Sequence, residues 1–288
     1  MNSGTVCLTF DFDAVSLWIS RDMLSPTPVS RGEFGAVAVP RLLNLLAERG
    51  LPSTWFVPGH TVETYPRVCQ EIVASGHEVG LHGYAHENVG ILDRDQEREM
   101  FRRVHDLVGE LSGVAPKGNR APAWDLTPHT VEILLELGLV YDSSLMGKDY
   151  SPYRVRRGDE IRRDAPVRFG EETRLVEIPV SWALDDYPNF EYLRLPNSIM
   201  PGLKTPADVF RNWTDDVAYM LRDFTDGVLV VTFHPQVIGR GHRILGLERW
   251  LDELAQMDVA FERMDAVAER FLAGQTLGEY SPRQDKSR

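Results

Sequence analysis

Apolar residues come along this chain in two rhythms. Short, nearly continuous apolar runs predict strands at 5–10, 53–57, 78–82, 117–121, 139–142, 175–180 and 228–233, with a further one at 259–261. Between them, apolar positions recur every three or four residues; Met100, Val104, Leu107, Val108 and Leu111, for example, fall on one helical face. Three of the helical patterns stop at a glycine: "RLLNLLAERG" at Gly50, "RVCQEIVASG" at Gly76 and "VEILLELG" at Gly138. Glycine just past a helix takes the left-handed cap conformation cheaply, so each reads as the loop from a helix into the next strand. Strands separated by helices of about ten residues or more pair in parallel. Repeated along the chain, the pattern predicts an α/β fold, a distorted (β/α) barrel of seven or eight parallel strands forming a single domain over 1–275. Residues 276–288 are polar and are expected to form a flexible tail. The stretch 143–174 breaks the rhythm as a long polar insertion, and its basic run "RVRRGDEIRR" at 154–163 reads as a solvated loop.

Composition narrows the class. The 288 residues are 43% hydrophobic, enough for a large core, so a folded chain rather than disorder is expected. With 31 basic against 43 acidic residues the formal net charge is −12, which argues against a nucleic-acid or anionic-membrane partner. Neither an export signal nor an apolar run of membrane-spanning length is apparent, and Cys7 and Cys69 lack CxxC spacing. A soluble cytoplasmic protein with free buried thiols is expected. An open doubly wound sheet carrying a nucleotide-dependent oxidoreductase is a remote alternative, because no GxGxxG follows the first strand.

The unusual polar residues fall where strands end. Asp11 and Asp13 follow the first strand, His82 and His86 the third, Arg120 ends the fourth, and His234 ends "VLVVTFHP". In a parallel barrel these ends open on one face, where active sites lie. Taken singly, each has a plain structural reading. Two aspartates can cap a turn, a lone HxxxH recurs by chance, and a strand-end histidine can sit satisfied in a core. Together, two histidines and an aspartate make a three-ligand site with positions left open for water and substrate. "HGYAH" would put its imidazoles one turn apart if helical. Trp124, in "APAW", is a candidate wall for a substrate ring, ahead of Trp18 and Trp182, and His60 in "VPGH" is a further substrate-binding candidate.

In order along the chain, "TFDFD", "HGYAH", "RAPAW" and "FHP" resemble the successive motifs of the polysaccharide deacetylase (NodB-homology) family. The resemblance implies a distorted barrel and metal-dependent hydrolysis of an acetamido or related C–N bond. It implies Asp13, His82 and His86 as ligands of one divalent ion, zinc first, with cobalt, manganese or iron as alternatives. It implies Asp11 as general base, Arg120 as the arginine orienting it, and His234 as general acid. It also carries a hint of a homotetramer. The sequence departs from the usual pattern at Phe12, which separates aspartates that are normally adjacent, and at Gly83, where serine or threonine is usual. A fourth motif fits either "YDSSL" at 141–145 or "EIPVSWALDDYP" at 177–188. These departures resemble a branch with peptidoglycan-deacetylase-like proteins and cyclic-imide or allantoin hydrolases. Removal of N-acetyl groups from amino sugars is therefore expected, with hydrolysis of small cyclic imides or amides as the rival on the same site. The insertion 143–174 and "SWALDDYP" are expected to cap the barrel mouth, favouring a small substrate over a polymer. A catalytically silent carbohydrate-binding barrel is the alternative of another class.

Overall fold

The computed structural model describes residues 3–195 and 198–282. All eight strands expected from the apolar runs are present: β1 (Gly4–Asp11), β2 (Thr54–Val57), β3 (Glu78–Leu81), β4 (Gly118–Asn119), β5 (Tyr141–Asp142), β7 (Glu171–Glu177), β8 (Gly227–Phe233) and β9 (Val259–Phe261). They are parallel throughout, in the order β8-β1-β2-β3-β4-β5-β7, with β9 also paired to β1. The sheet curls into a half-barrel. A single parallel bridge between Asp185, downstream of β7, and Thr232 of β8 spans the open side. Helices cover the outside, the longest being Pro26–Arg49, which buries Val39, Leu42 and Leu46 against the sheet. Gly50, Gly76 and Gly138 lie beyond their helices at φ of 62°, 81° and 80°.

Two expectations need correction. The insertion 143–174 is not a loop over the barrel mouth. Its residues Tyr153–Arg157 form β6, antiparallel to β7 at the sheet edge, so the first four residues of the basic run are strand. The charges hid it: Val155 is buried while its arginine neighbours face out, the alternation of a half-buried edge strand. Nor is the tail free from residue 276. Leu277 is buried and Glu279–Tyr280 pair with Phe224–Thr225; residues 283–288 lie outside the described residues. The mouth is roofed, as expected, by "SWALDDYP", which forms the turn Trp182–Leu184 and opens the short helix Asp186–Phe190, together with the ribbon Leu193–Leu195 and Ser198–Met200 that follows. Among the described residues no helix is long and apolar enough to cross a membrane.

Candidate active site

A cavity of about 220 Å³ opens at the carboxyl ends of the strands, lined among others by Asp11, Asp13, His82, His86, Trp124 and His234. Strand alternation explains how β1 delivers two carboxylates to it. Asp11 and Asp13 face the cavity, while Phe12 between them turns away and is wholly buried near Tyr65. The extra residue keeps both acids on one face.

Asp13 meets three imidazoles. Its oxygens lie 3.3 Å from His82 Nε2, 3.9 Å from His86 Nε2 and 3.7 Å from His234 Nε2. Both Asp13 oxygens and His82 Nε2 are buried with no hydrogen-bond partner among the described residues. Leaving three such atoms unsatisfied in one place is costly. Asp13, His82 and His86 offer ligand atoms that all lie within 4.8 Å of one another. His82 Nδ1 donates to the Arg120 carbonyl at 2.7 Å, which leaves Nε2 as the lone-pair nitrogen facing the site. Burial pushes the His86 imidazole down to about 4, so it is neutral, as a ligand must be. Burial opposes ionisation of Asp13, but His86, His82 and His234 hold its carboxyl well below the usual range. The donor set and its unsatisfied buried atoms fit one divalent ion.

The histidine pair is not helical. His82 ends beyond β3, Gly83 turns at φ 64°, and His86 adopts φ 57°. Glu87 closes the loop by accepting the Tyr84 and Ala85 amides at 2.9 and 2.8 Å. The imidazoles converge across this turn, with ring centroids 5.1 Å apart. A Cβ on Gly83 would sit 2.8 Å from Pro122 Cγ and 2.9 Å from Glu87 Oε2. That crowding explains why this chain has glycine there.

Arg120 stands just behind the cavity, fully buried, and donates from Nη1 to Asp11 Oδ1 at 2.8 Å. Its Nε and Nη2 donate to the Ser143 carbonyl and hydroxyl at 3.1 and 3.0 Å, and its guanidinium lies over Phe56. "YDSSL" is thus the cradle of Arg120, held in turn by Glu177, which accepts the Ser144 and Leu145 amides. "SWALDDYP" does the same for His234. Asp186 Oδ1 accepts from both the His234 amide at 3.0 Å and its Nδ1 at 2.8 Å, and Asp185 lies 3.5 Å from Nδ1. Burial pulls the His234 imidazole down, but Asp185, Asp186 and Asp13 together raise it well above the ordinary value. Sequence reasoning named the segment and missed Asp186; the adjacent pair in "LDDY" was the signal available.

Of the two substrate-binding candidates, the structure brings only Trp124 to the cavity. His60 is not among its lining residues; its Nδ1 lies 3.3 Å from Thr64 Oγ1, and its ring packs edge-on to Tyr84. Trp182, which sequence reasoning ranked below Trp124, stacks on Trp124 at 4.1 Å and is 45% exposed. Trp18 is wholly buried beneath Arg31.

The polysaccharide deacetylase family profile matches residues 1–141. A peptidoglycan deacetylase of Helicobacter pylori is 38% identical over 277 residues, covering 91% of this chain and 94% of the relative. The chain belongs to the polysaccharide deacetylase family. Family chemistry is hydrolysis of a non-peptide amide C–N bond, and in this member Asp11, Asp13, His82, His86 and His234 line one cavity. The crystal structure of a putative polysaccharide deacetylase from Mycobacterium smegmatis superposes with a TM-score of 0.82 at 35% identity, covering 100% of this chain and 95% of that one. Puue allantoinase shares the fold at a TM-score of 0.73 and 20% identity, with 94% of this chain and 91% of that one covered.

Proposed function

We propose that this polysaccharide deacetylase family member removes the N-acetyl group from an amino sugar, using one divalent ion held by Asp13, His82 and His86. The observation that carries the reading is the set of unsatisfied buried atoms on Asp13 and His82, flanked by one pinned carboxylate and one pinned imidazole. Bound there, a divalent ion supplies Lewis acidity, polarising the scissile carbonyl and lowering the pKa of water from about 16 toward about 7. Zinc suits the Asp/His/His set, which also accepts cobalt, manganese or iron.

Asp11 takes the proton of the attacking water as the new C–O bond forms. Arg120 holds that carboxylate in place, donating from Nη1 to Oδ1 at 2.8 Å. His234 directs Nε2 into the cavity because Nδ1 is committed to Asp186. As an imidazolium it hands a proton to the departing nitrogen, so the C–N bond breaks to give acetate and a free amine. A second reading, hydrolysis of a small cyclic imide or amide, is favoured by the cavity's size. At about 220 Å³ it is smaller than the roughly 300–1,000 Å³ typical of drug-sized ligand sites, and Trp182, Tyr187, Pro188 and Met200 line it. Both readings favour a single ring over a polymer. Two buried free cysteines fit the reducing cytoplasm expected from the sequence.

Metal content of purified protein tests the ligand set. Wild type is expected to carry about one equivalent, and His82→Ala and His86→Ala to lose it while staying folded. Wild-type metal levels in either variant would sink the assignment. Acetate release from N-acetylglucosamine and its oligomers, set beside ring opening of succinimide-like substrates, then chooses the substrate. Ring opening without acetate release would move the function to the second reading.

A further inference from the structure

Arg21, just past the short helix Ser16–Ile19, lines the cavity beside the proposed catalytic groups. It is half-buried, and its Nη1 donates to the Tyr187 phenol oxygen at 2.7 Å. Nearby, Arg31 and Arg120 are paired to acids, Glu191 and Asp11, and Arg243 is answered by two backbone carbonyls, whereas among the described residues Arg21 has only the Tyr187 side chain. The cavity's own acids are already engaged. Asp11 answers Arg120, Asp13 faces three imidazoles, and Asp185 lies against His234 while accepting the Tyr187 amide at 2.7 Å. A partly desolvated guanidinium without a counter-ion gets back from the Tyr187 phenol and ring only part of the hydration it loses. In a chain with 43 acidic residues that vacancy is not for want of carboxylates. The ligand a guanidinium fork matches best is a planar carboxylate, which it grips through paired, charge-assisted hydrogen bonds.

We propose that Arg21 is a specificity residue that receives a carboxylate carried by the substrate close to its scissile amide. The preferred substrate is then an acidic N-acetyl amino sugar rather than a neutral one. This rests on the amino-sugar reading above. Tyr187 belongs to the segment that roofs the mouth, so its phenol holds the guanidinium at the cavity edge before substrate arrives.

N-acetylmuramic acid and N-acetylglucosamine form the test pair, differing by one lactyl ether with its carboxylate. Dissociation constants are measured by calorimetric titration of metal-loaded protein in an Asp11→Asn background, so that turnover does not intrude. The acid is expected to bind about tenfold tighter or more, as for hydrogen bonds between charged groups. Arg21→Gln is expected to bring that ratio to about one, and Arg21→Lys to keep part of it as a point charge. Added salt should weaken only the acid. Equal affinities in the Arg21-bearing protein, equal losses for both sugars in Arg21→Gln, or binding of neither sugar would overturn the proposal. If Arg21→Gln fails to fold, the Arg21→Lys ratio and the salt dependence decide. Acetate release by the protein with Asp11 intact answers the other question. Tight, Arg21-dependent binding of the acid with no acetate from either sugar would remove the deacetylase reading and leave the role of Arg21 standing.

Discussion

Asp11 and Asp13 carry the same carboxyl group two positions apart, and their surroundings divide the work between them. Asp11 is answered by a guanidinium, while both oxygens of Asp13 are left unsatisfied among imidazoles. Replacing Asp11 with Asn keeps its shape and removes the proposed base, so kcat is expected to fall about 10²- to 10⁴-fold with metal retained. If metal is lost instead, the two aspartates have exchanged roles. His234 depends in the same way on Asp186, which accepts the Nδ1 proton and so fixes which nitrogen faces the substrate. An Asp186→Asn variant can present its amide N–H to Nδ1 and reverse the tautomer. Its kcat is expected to drop by about 10²- to 10⁴-fold at unchanged metal content. An unaffected kcat would make Asp186 a merely structural residue. Strain gathers at this scale too: Ala14, His86, Ala123 and Trp124 all have positive φ, and all adjoin or line the cavity. Bulky side chains hold that conformation only where the surroundings enforce it.

At the scale of elements, the legible parts were those with one dominant periodicity. Strands β1 and β8 are nearly continuous apolar runs, buried along their whole length, and their ends pointed to Asp11 and His234. What escaped was set by contacts distant in sequence. The edge strand β6 alternates but is charged, so it read as loop. The His82–His86 spacing suits a helix, yet Gly83 and the carboxylate of Glu87 bend it into a turn. The roles of "YDSSL" and "SWALDDYP" became distinct only once Arg120 and His234 were seen resting on them. Gly83 gives this level its test. Serine there, the more usual family residue, would need φ 64° and would bring Cβ within 2.8 Å of Pro122 and 2.9 Å of Glu87. Gly83→Ser is expected to cost about 1–3 kcal/mol of stability and to weaken metal retention, read by urea denaturation and metal analysis. A variant as stable and as metal-replete as wild type would mean that the loop can reshape at no cost.

Across the whole molecule, the two ends of the half-barrel hold different kinds of buried charge. The carboxyl ends carry the site; the opposite end buries Glu78 at the start of β3. Its carboxylate accepts hydrogen bonds from Thr54 and Tyr141 and from the Asp265 amide, with the Asp265 carboxylate close by. Arg263 and Lys117 pair with Asp265 rather than with Glu78. Burial first, and then the charge of Asp265, push Glu78 up from 4.5 to about 7. Between those two values the folded chain holds a proton that the unfolded chain has released, so the folded state binds more protons and stability falls as pH rises. The contribution is fully present below about pH 4.5 and is lost as pH passes through about 7. Glu78→Gln removes the titration, and Tyr141 can rotate its hydroxyl to suit the amide. Urea midpoints measured across this window are expected to fall with pH in the wild type and to fall less steeply in the variant. Above about pH 7, where the wild type must bury a charged carboxylate beside Asp265, Glu78→Gln is expected to be the more stable protein. Parallel pH profiles for the two proteins would show that Glu78 is ionised in the folded state throughout, and that Thr54, Tyr141 and the Asp265 amide suffice to hold its charge.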